Sequence, residues 1–396
     1  MDPVIDKIMK AYDAHVRTAG DSGALTPDFG SVKVRKIPRA WDAVSGDYTI
    51  EATFEDPVLN GYRAVLIEDT LAPAYADDED PLSPHRITTM VVRYPRVILP
   101  EFNTHRVFSR NSASSRARSM KTTLRPVMVD PYVPLWTTNQ KGMSGSFASI
   151  DHARHAAIRW LQARDRAVEG VFGLLMDPDF DGVSAPLWKS WGPTIDIYST
   201  LYGNESIPED WSNIHKQDAN RLLEPWMWHE TLVTSTYWKN FLDLRISDDA
   251  MPEIHAIAVL MRAILMESRD RGTLRRSTIH APFLDGVELS KAGSWDDLET
   301  ELLRSASECA RISYRDRSIM RNKENDAADS LGRRLLAQRH MSPFEHIAWS
   351  SDRNDYESVP ALAEIMRKMT LEDRDMSSNL STDWTQFRRV ESPREQ

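Results

Sequence analysis

Residues 87–99 read ITTMVVRYPRVIL, a run of β-branched and other apolar residues that is broken once, at Pro95. β-Branched side chains favour strands, and proline interrupts a strand because it lacks the backbone N–H that the ladder needs. The stretch therefore predicts a strand, a kink at Pro95 and a second strand. This unit leads directly into the most unusual part of the chain, a basic segment.

The basic segment runs from Phe102 to Val129 and contains no Asp or Glu. Its cations are Arg106, Arg110, Arg116, Arg118, Lys121 and Arg125. Between them lie short polar residues, namely Ser109, Asn111, Ser112, Ser114, Ser115 and Ser119. Guanidinium groups bind phosphate oxygens in bidentate fashion, and hydroxyl groups satisfy the remaining lone pairs. The pattern predicts a site for a phosphorylated molecule, although a basic stretch also occurs commonly as a solvated loop.

The composition limits the possible classes of protein. The chain has 396 residues, of which 41% are hydrophobic and 12 are Trp, enough for a substantial core. A formal net charge of -10 argues against general nucleic-acid binding, which normally needs a basic face. Cys309 is the only cysteine, so no intrachain disulfide is possible. No apolar run reaches the roughly 20 residues of a membrane span. We therefore expect a cytoplasmic protein with no membrane partner and no stably bound nucleic acid.

Helical periodicity dominates the chain after the basic segment. Apolar residues three and four apart predict helices from Asp151 to about 175, from Pro252 to about Ser268, and near 296–312, 324–338 and 359–369. A further helical tract is predicted from His215 to Phe241. Residues 1–85 are rich in turn signals, and a short strand is predicted there at Tyr62–Ile67.

Three separate stretches carry a shared pattern of polar residue types. They are THRVFSRNSASSR at 104–116, NRLLEPW and TYWKNFLDLR within 220–245, and CARISY and RHMSPFEH within 309–346. Together they resemble the flavin-dependent thymidylate synthases. The signature of that family is an Arg-His-Arg triplet followed by Ser, Asn, Ser and Arg at fixed spacing. Here it is matched at His105, Arg106, Ser109, Asn111, Ser114 and Arg116, while Thr104 stands in place of the first Arg.

The third stretch lies in an unusual place. In the family, the His-x-Ser/Thr-Pro-Phe-Glu-His element precedes the arginine signature, whereas here residues 340–346 follow it by more than two hundred residues. The resemblance therefore implies a circularly permuted chain, which preserves the same contacts when the termini lie close together at the surface. Residues 384–388 are a candidate for the strand that enters the signature. We divide the chain into an accessory segment (1–85), a permuted catalytic domain with insertions (86–350) and a C-terminal helix and tail (351–396).

The resemblance implies an α+β fold with a central, mostly antiparallel sheet flanked by long helices. It also implies an enzyme that methylates C5 of dUMP to give dTMP. Methylene-tetrahydrofolate would be the one-carbon donor, reduced FAD the hydride donor and NADPH a further cosubstrate. Family members are homotetramers, so we expect a homo-oligomer, either a tetramer or a dimer.

The resemblance also assigns roles to individual residues. It places the nucleotide on Ser114, Arg116, Arg221 and Arg245, with Ser114 and Arg245 as the catalytic pair. It places FAD on His105, Arg106, Asn240, His340, Ser342 and Glu345. A flavin route suits this chain because Cys309 lies in an amphipathic stretch typical of a buried residue rather than a nucleophile. No metal site is expected, since neither an HExxH motif nor a pair of cysteines supports one.

Departures from the family pattern leave alternatives open. Thr104 and Ser112 stand where Arg and Glu are usual, and Thr234 and Thr236 stand where Asn and Arg would contact the cofactor. If water rather than hydride quenched the exocyclic methylene, the product would be a 5-hydroxymethyl derivative of dUMP or dCMP. A second alternative is a protein that binds nucleotides or nucleic acid without turnover. The three tryptophans within 226–238 are expected to pack in a core rather than stack on a flavin.

Overall fold

The structure is a computed structural model that describes residues 3–19, 23–39, 47–113, 120–139, 145–175, 215–312, 330–369 and 378–391. The strands described are β1 (Val32–Pro38), β2 (Tyr48–Phe54), β3 (Arg63–Leu71), β4 (Arg86–Pro95), β5 (Ser109–Ser112), β6 (Trp228–Ser235), β7 (Arg275–Arg276), β8 (Ile279–His280), β9 (Ala348–Ser350) and β10 (Trp384–Gln386).

The helices described in the first half are α1 (Pro3–Ala19), α2 (Leu99–Phe102), α3 (Met120–Val129) and α4 (Ile150–Leu175). Those in the second half are α5 (Lys216–Arg221), α6 (Lys239–Arg245), α7 (Pro252–Glu267), α8 (Gly286–Leu289), α9 (Trp295–Arg311), α10 (Ser330–Ala337), α11 (Arg353–Glu357), α12 (Pro360–Lys368) and α13 (Arg388–Glu391). The helices predicted at 151–175, 252–268, 296–312, 324–338 and 359–369 are therefore confirmed where they fall on described residues.

The strands form two sheets. The larger has the order β1-β2-β3-β4-β6-β5, with β7 paired to β3, and the smaller has the order β10-β9-β8. All described pairs are antiparallel except β3 with β7. The predicted class, α+β with a mostly antiparallel sheet, is confirmed.

The strand predicted within 87–99 is confirmed, but the second strand after Pro95 is wrong. β4 ends at Pro95, and the chain continues as a 3₁₀ turn, Arg96–Ile98, that runs into the short helix α2. The turn is anchored where the Arg96 backbone N–H donates to the Met227 carbonyl at 2.9 Å. Proline ends the ladder here, and the chain bends away from the sheet.

The helix predicted from 215 to 241 is also wrong in its centre. Two short helices, α5 and α6, flank strand β6, which lies between β4 and β5 in the larger sheet. Residues 231–235 are all buried, because an interior strand of a covered sheet is enclosed on both faces. Such a strand has no polar and apolar alternation, so its sequence does not distinguish it from a buried helix.

The larger sheet is covered on both faces. On one face, which we call the helix face, α7 packs Ile254, Ile257 and Met261 against sheet residues that include Met90 and Val233. On the other face, which we call the small-sheet face, lie β8, β9 and β10. These strands share a second core with helices α9 and α12. The three motif stretches meet at the end of the larger sheet next to β5, where His346 lies on the small-sheet face.

Residues 1–85 contribute α1 and strands β1 to β3 to this architecture. Helix α1 is fixed to the body by a buried pair between His15 and Asp56, whose atoms lie 3.0 Å apart. The domain boundary predicted at residue 85 falls between β3 and β4, which are hydrogen-bonded neighbours. Within the described ranges, none of the helices is both long and apolar enough to cross a bilayer.

Candidate functional site

The first and second motif stretches meet at an interaction between His105 and Arg245. Arg245, in the last turn of α6, donates from Nε to Nε2 of His105 at 2.9 Å. The same guanidinium forms an ion pair with Glu101 at the end of α2. The interaction joins residues 140 positions apart in sequence. It fixes the loop between α2 and β5 against helix α6.

His105 is held as a neutral imidazole. Burial, together with the positive charges of Arg245 and Arg110, lowers the pKa of His105 to about 4 from an ordinary value of 6.5. Its ring lies edge-on to Phe241, with 4.8 Å between the ring centres. Since Nε2 accepts a hydrogen bond from Arg245, the hydrogen of the neutral ring is on Nδ1. His105 therefore offers an N–H donor.

Arg110 supports the loop rather than extending from it. Its Nη1 donates to the carbonyl oxygens of Phe102 at 3.2 Å and His105 at 3.0 Å. Burial lowers the pKa of Arg110. The nearby Tyr94 and Glu345 act in the opposite direction and raise it, but the effect of burial is larger. By contrast, the Arg106 side chain is exposed. Within the described part of the basic segment, Arg110 is therefore an internal brace and Arg106 faces outward.

The third motif stretch reaches the same region from the far end of the chain. Its 3₁₀ turn, Ser342–His346, packs on β5 and β6. The carbonyl of Glu345 accepts from Gln386 Nε2 at 2.9 Å, and its carboxylate accepts from Arg388 at 2.5 Å. Segment 384–388 was predicted to enter the signature as a strand. It instead forms β10 of the smaller sheet and reaches Ser109 on β5 through Gln386 Nε2, at 3.4 Å.

A buried chain of hydrogen bonds crosses the sheet beneath this region. His280 binds Thr70 Oγ1 through Nδ1 and Thr89 Oγ1 through Nε2, each at 2.8 Å. Thr89 Oγ1 lies 2.6 Å from Thr234 Oγ1, which lies 2.7 Å from His346 Nδ1. We call these five side chains the relay. All five are fully buried on the small-sheet face.

Two side chains of the motif stretches at this face each have a polar atom with no hydrogen-bond partner among the described residues. The atoms are Nε2 of His346 and Nδ2 of Asn111. Asn111 pairs with Leu232 across β5 and β6, two residues from the pair formed by Ser109 and Thr234. Side chains two residues apart on a strand share a face, so Asn111 and Thr234 are diagonal neighbours. Unsatisfied buried polar groups are rare and call for an explanation.

Most of the other predicted site residues lie outside this cluster. Arg106, Arg221, Asn240, His340 and Ser342 are all exposed. Arg221 pairs with Asp218 at 3.8 Å. Ser114 and Arg116 lie outside the described residues, so their predicted roles are not examined by the structure.

Asn240 lines a separate open pocket of about 410 Å³ on the surface of α6. Its neighbours there include Tyr237, Leu244 and Leu82. Tyr237 and Leu244 are among the exposed large hydrophobic side chains of the protein. The pocket is therefore mainly apolar, and Asn240 is its neutral polar edge.

The residues that depart from the family pattern bond within the protein. Thr104 Oγ1 donates to the Glu101 carbonyl at 2.7 Å. Thr234 belongs to the relay, and Thr236 Oγ1 accepts from the Ser381 backbone N–H at 2.8 Å. Both Thr234 and Thr236 are fully buried. The first and last of the three tryptophans, Trp226 and Trp238, are buried in cores, as expected.

Sequence reasoning missed several residues of the site. His280, Thr70 and Thr89 belong to no motif, and they come together only through strand pairing and sheet stacking. Glu101 and Arg388 were also missed. Glu101 had a usable signal, because it is the carboxylate directly before the basic segment.

Comparison with known proteins gives structural likenesses only. No protein-family model matches the chain, and no curated protein matches it. Two solved structures of a UMP/dUMP methylase, PolB from Streptomyces cacaoi, resemble it at 15% and 18% sequence identity. One is bound with 5-Br UMP. Its match covers 53% of this chain and 89% of the methylase chain, with a TM-score of 0.34. The other is bound with 5-Br dUMP. Its match covers 53% of this chain and 90% of the methylase chain, with a TM-score of 0.31. TM-scores this low do not bear on fold or function.

Proposed function

We propose that this protein is a flavin- and folate-dependent enzyme that methylates C5 of dUMP. The observation that carries the proposal is the meeting of the three motif stretches at one end of the sheet. His105 binds Arg245 directly, and the turn Ser342–His346 packs on β5 despite following it by more than two hundred residues. A permuted enzyme of this family requires that convergence, whereas an unrelated basic loop does not.

The polar groups at this end fit a heterocyclic ligand. Both unpartnered atoms, Asn111 Nδ2 and His346 Nε2, belong to motif residues. A ring that carries carbonyl and N–H groups, as uracil and the flavin both do, would satisfy them. His105 adds an N–H donor, and Arg245 adds a cation that is already oriented by Glu101.

Under this proposal the division of roles is as follows. Ser114, Arg116 and Arg245 hold the nucleotide, with arginine neutralising its phosphate or polarising a ring carbonyl. His105, Arg106 and Glu345 hold FAD, which supplies the reducing hydride when bound. Methylene-tetrahydrofolate and NADPH are cosubstrates, and the working form is a homo-oligomer. The protein itself orients the reactants and supplies charge.

One observation favours 5-hydroxymethylation of dUMP or dCMP as a second candidate. Thr234 and Thr236 are buried and bonded internally, so they do not supply the cofactor contacts expected of Asn and Arg. A cofactor held by fewer contacts would leave the methylene intermediate open to water.

The first test is to purify the chain, add FAD and record the visible spectrum before and after reduction. We expect a yellow protein that bleaches on reduction. A colourless protein that cannot be loaded with FAD would exclude the enzyme and favour nucleotide binding without turnover.

The second test is mass spectrometry of products from dUMP and dCMP with methylene-tetrahydrofolate and NADPH. A 5-methyl product from dUMP supports the main proposal, and a 5-hydroxymethyl product supports the alternative. We further expect Arg116→Ala to abolish dUMP binding while FAD still binds. Equal loss of both ligands would contradict the assigned roles.

A further inference from the structure

The relay contains five hydroxyl and ring N–H hydrogens but only four hydrogen bonds that could use them. Its members are Thr70, His280, Thr89, Thr234 and His346, joined by four bonds. Burial lowers the pKa of both histidines to about 3, so each is neutral near neutral pH and carries one N–H. Each threonine hydroxyl also has one hydrogen. Five hydrogens and four bonds leave one hydrogen unused.

The position of the unused hydrogen is linked to the tautomer of His346. If His346 carried its hydrogen on Nε2, its Nδ1 would accept from Thr234. Thr234 would then have to accept from Thr89, and Thr89 from His280. The unused hydrogen would be the buried N–H at Nε2, which has no partner among the described residues.

In the other tautomer, Nε2 of His346 is an acceptor without a partner instead of an N–H without a partner. With its hydrogen on Nδ1, His346 donates to Thr234, and the unused hydrogen belongs to a threonine hydroxyl of the relay. A hydroxyl hydrogen rotates to suit its surroundings, whereas a ring N–H is fixed in direction. Among backbone groups, a buried N–H without a partner is rarer than an under-satisfied carbonyl, and we apply the same order to the imidazole nitrogen. The second arrangement is therefore favoured in the free protein.

We propose that Thr234 holds His346 as the Nδ1–H tautomer, so that Nε2 is a hydrogen-bond acceptor for a ligand N–H. Asn111, the diagonal neighbour of Thr234 across β5 and β6, supplies a donor through its amide nitrogen on the same face of the sheet. A donor next to an acceptor is complementary to a cyclic amide edge, in which a carbonyl neighbours an N–H. Thr234 is thus a positioning residue. The tautomer is a property of the free protein, and only the ligand contact rests on the proposed function.

The tautomer can be read by NMR on the full chain labelled with ¹⁵N-histidine, using long-range nitrogen–hydrogen correlations at neutral pH. The signals of His346 are assigned by their loss in His346→Gln. We expect the hydrogen on Nδ1 in the wild type and in Thr234→Ser, which keeps the hydroxyl. Thr234→Val removes the acceptor, and we expect it to shift the population toward Nε2–H.

The matched control is Thr231→Val, which removes a buried hydroxyl of the same strand that bonds Tyr94 at 2.7 Å and takes no part in the relay. It should leave the His346 tautomer unchanged. An Nε2–H tautomer in the wild type, or no change in Thr234→Val, would overturn the proposal. If Thr234→Val does not fold, the wild type and Thr234→Ser still decide it.

The ligand contact is tested by adding FAD and then dUMP to the labelled protein. We expect the Nε2 signal of His346 to move when one of them binds, as it accepts a hydrogen bond. A signal that stays in place although both ligands bind would overturn the contact. If neither binds, the contact and the proposed function both fail, and the tautomer is judged on the free protein alone.

Discussion

At the scale of the residue, the contact between His105 and Arg245 makes a measurable prediction. Burial is the larger cause of the lowered pKa of His105, and the charge of Arg245 is the next. In Arg245→Met we expect that pKa to rise from about 4 but to stay below 6.5, because the burial remains. NMR titration of the His105 ring measures it.

The control for this change is Lys239→Met, which removes another cation of α6 that pairs with Asp243 at the surface. It should leave the pKa of His105 unchanged. The same value in Arg245→Met as in the wild type would show that Arg245 has no electrostatic effect on the site.

Gly61 carries a second prediction at this scale. Its φ is +129°, and a Cβ atom built there would lie 2.4 Å from the Trp228 ring. We expect Gly61→Ala to lower the free energy of unfolding by roughly 2–4 kcal/mol, since it combines backbone strain with overpacking. Gly23→Ala is the control, because φ there is +70° but nothing lies within 4 Å of its Cβ. Denaturant unfolding of both variants compares them, and equal losses would contradict the clash.

At the scale of the element, β10 secures the turn Ser342–His346. The buried Gln386 amide donates to the Glu345 carbonyl and to Asn379 Oδ1, both at 2.9 Å. In Gln386→Leu these acceptors lose their donor at a cost of about 1–3 kcal/mol. We expect faster hydrogen exchange of backbone amides in residues 342–350. Thr385→Val, also buried on β10 but bonded to Ser351, should leave that exchange closer to the wild type. Slower or equal exchange in Gln386→Leu would contradict the role of β10.

The same elements show what sequence could and could not predict. Helices α9 and α12 have one apolar face, whereas α7 is buried on all sides along its centre, and each has a start signal that located it. Strand β6 is buried on both faces, so its sequence lacks alternation and predicts a helix instead. The motifs named His105 and Arg245, which the structure brings into contact, because spacing within a motif is local. His280 could not be found this way, since its contacts with Thr70 and Thr89 depend on how two sheets stack.

At the scale of the whole molecule, the two sheets enclose polar side chains where most proteins place apolar ones. His280 and His346 lie between the sheets with no charged partner among their hydrogen bonds. Because the side chains of this layer come from β3, β4 and β6 of the larger sheet and from β8 and the turn Ser342–His346 on the other side, the layer forms only when both sides are in place. Protonation of the layer is therefore coupled to folding of the whole protein.

This coupling predicts how stability depends on pH. In the folded protein, burial lowers the pKa of His280 and His346 to about 3, against 6.5 when unfolded. Between these values the unfolded chain binds more protons, so the stability is full above 6.5 and is lost as the pH falls toward 3. Each histidine adds up to about 1.4 kcal/mol per pH unit to this slope. We expect His280→Gln to show a shallower slope in denaturant unfolding between about pH 4.5 and 7, whereas the exposed His152→Gln keeps the wild-type slope. Identical slopes for the wild type and His280→Gln would show that His280 is not held neutral by the fold.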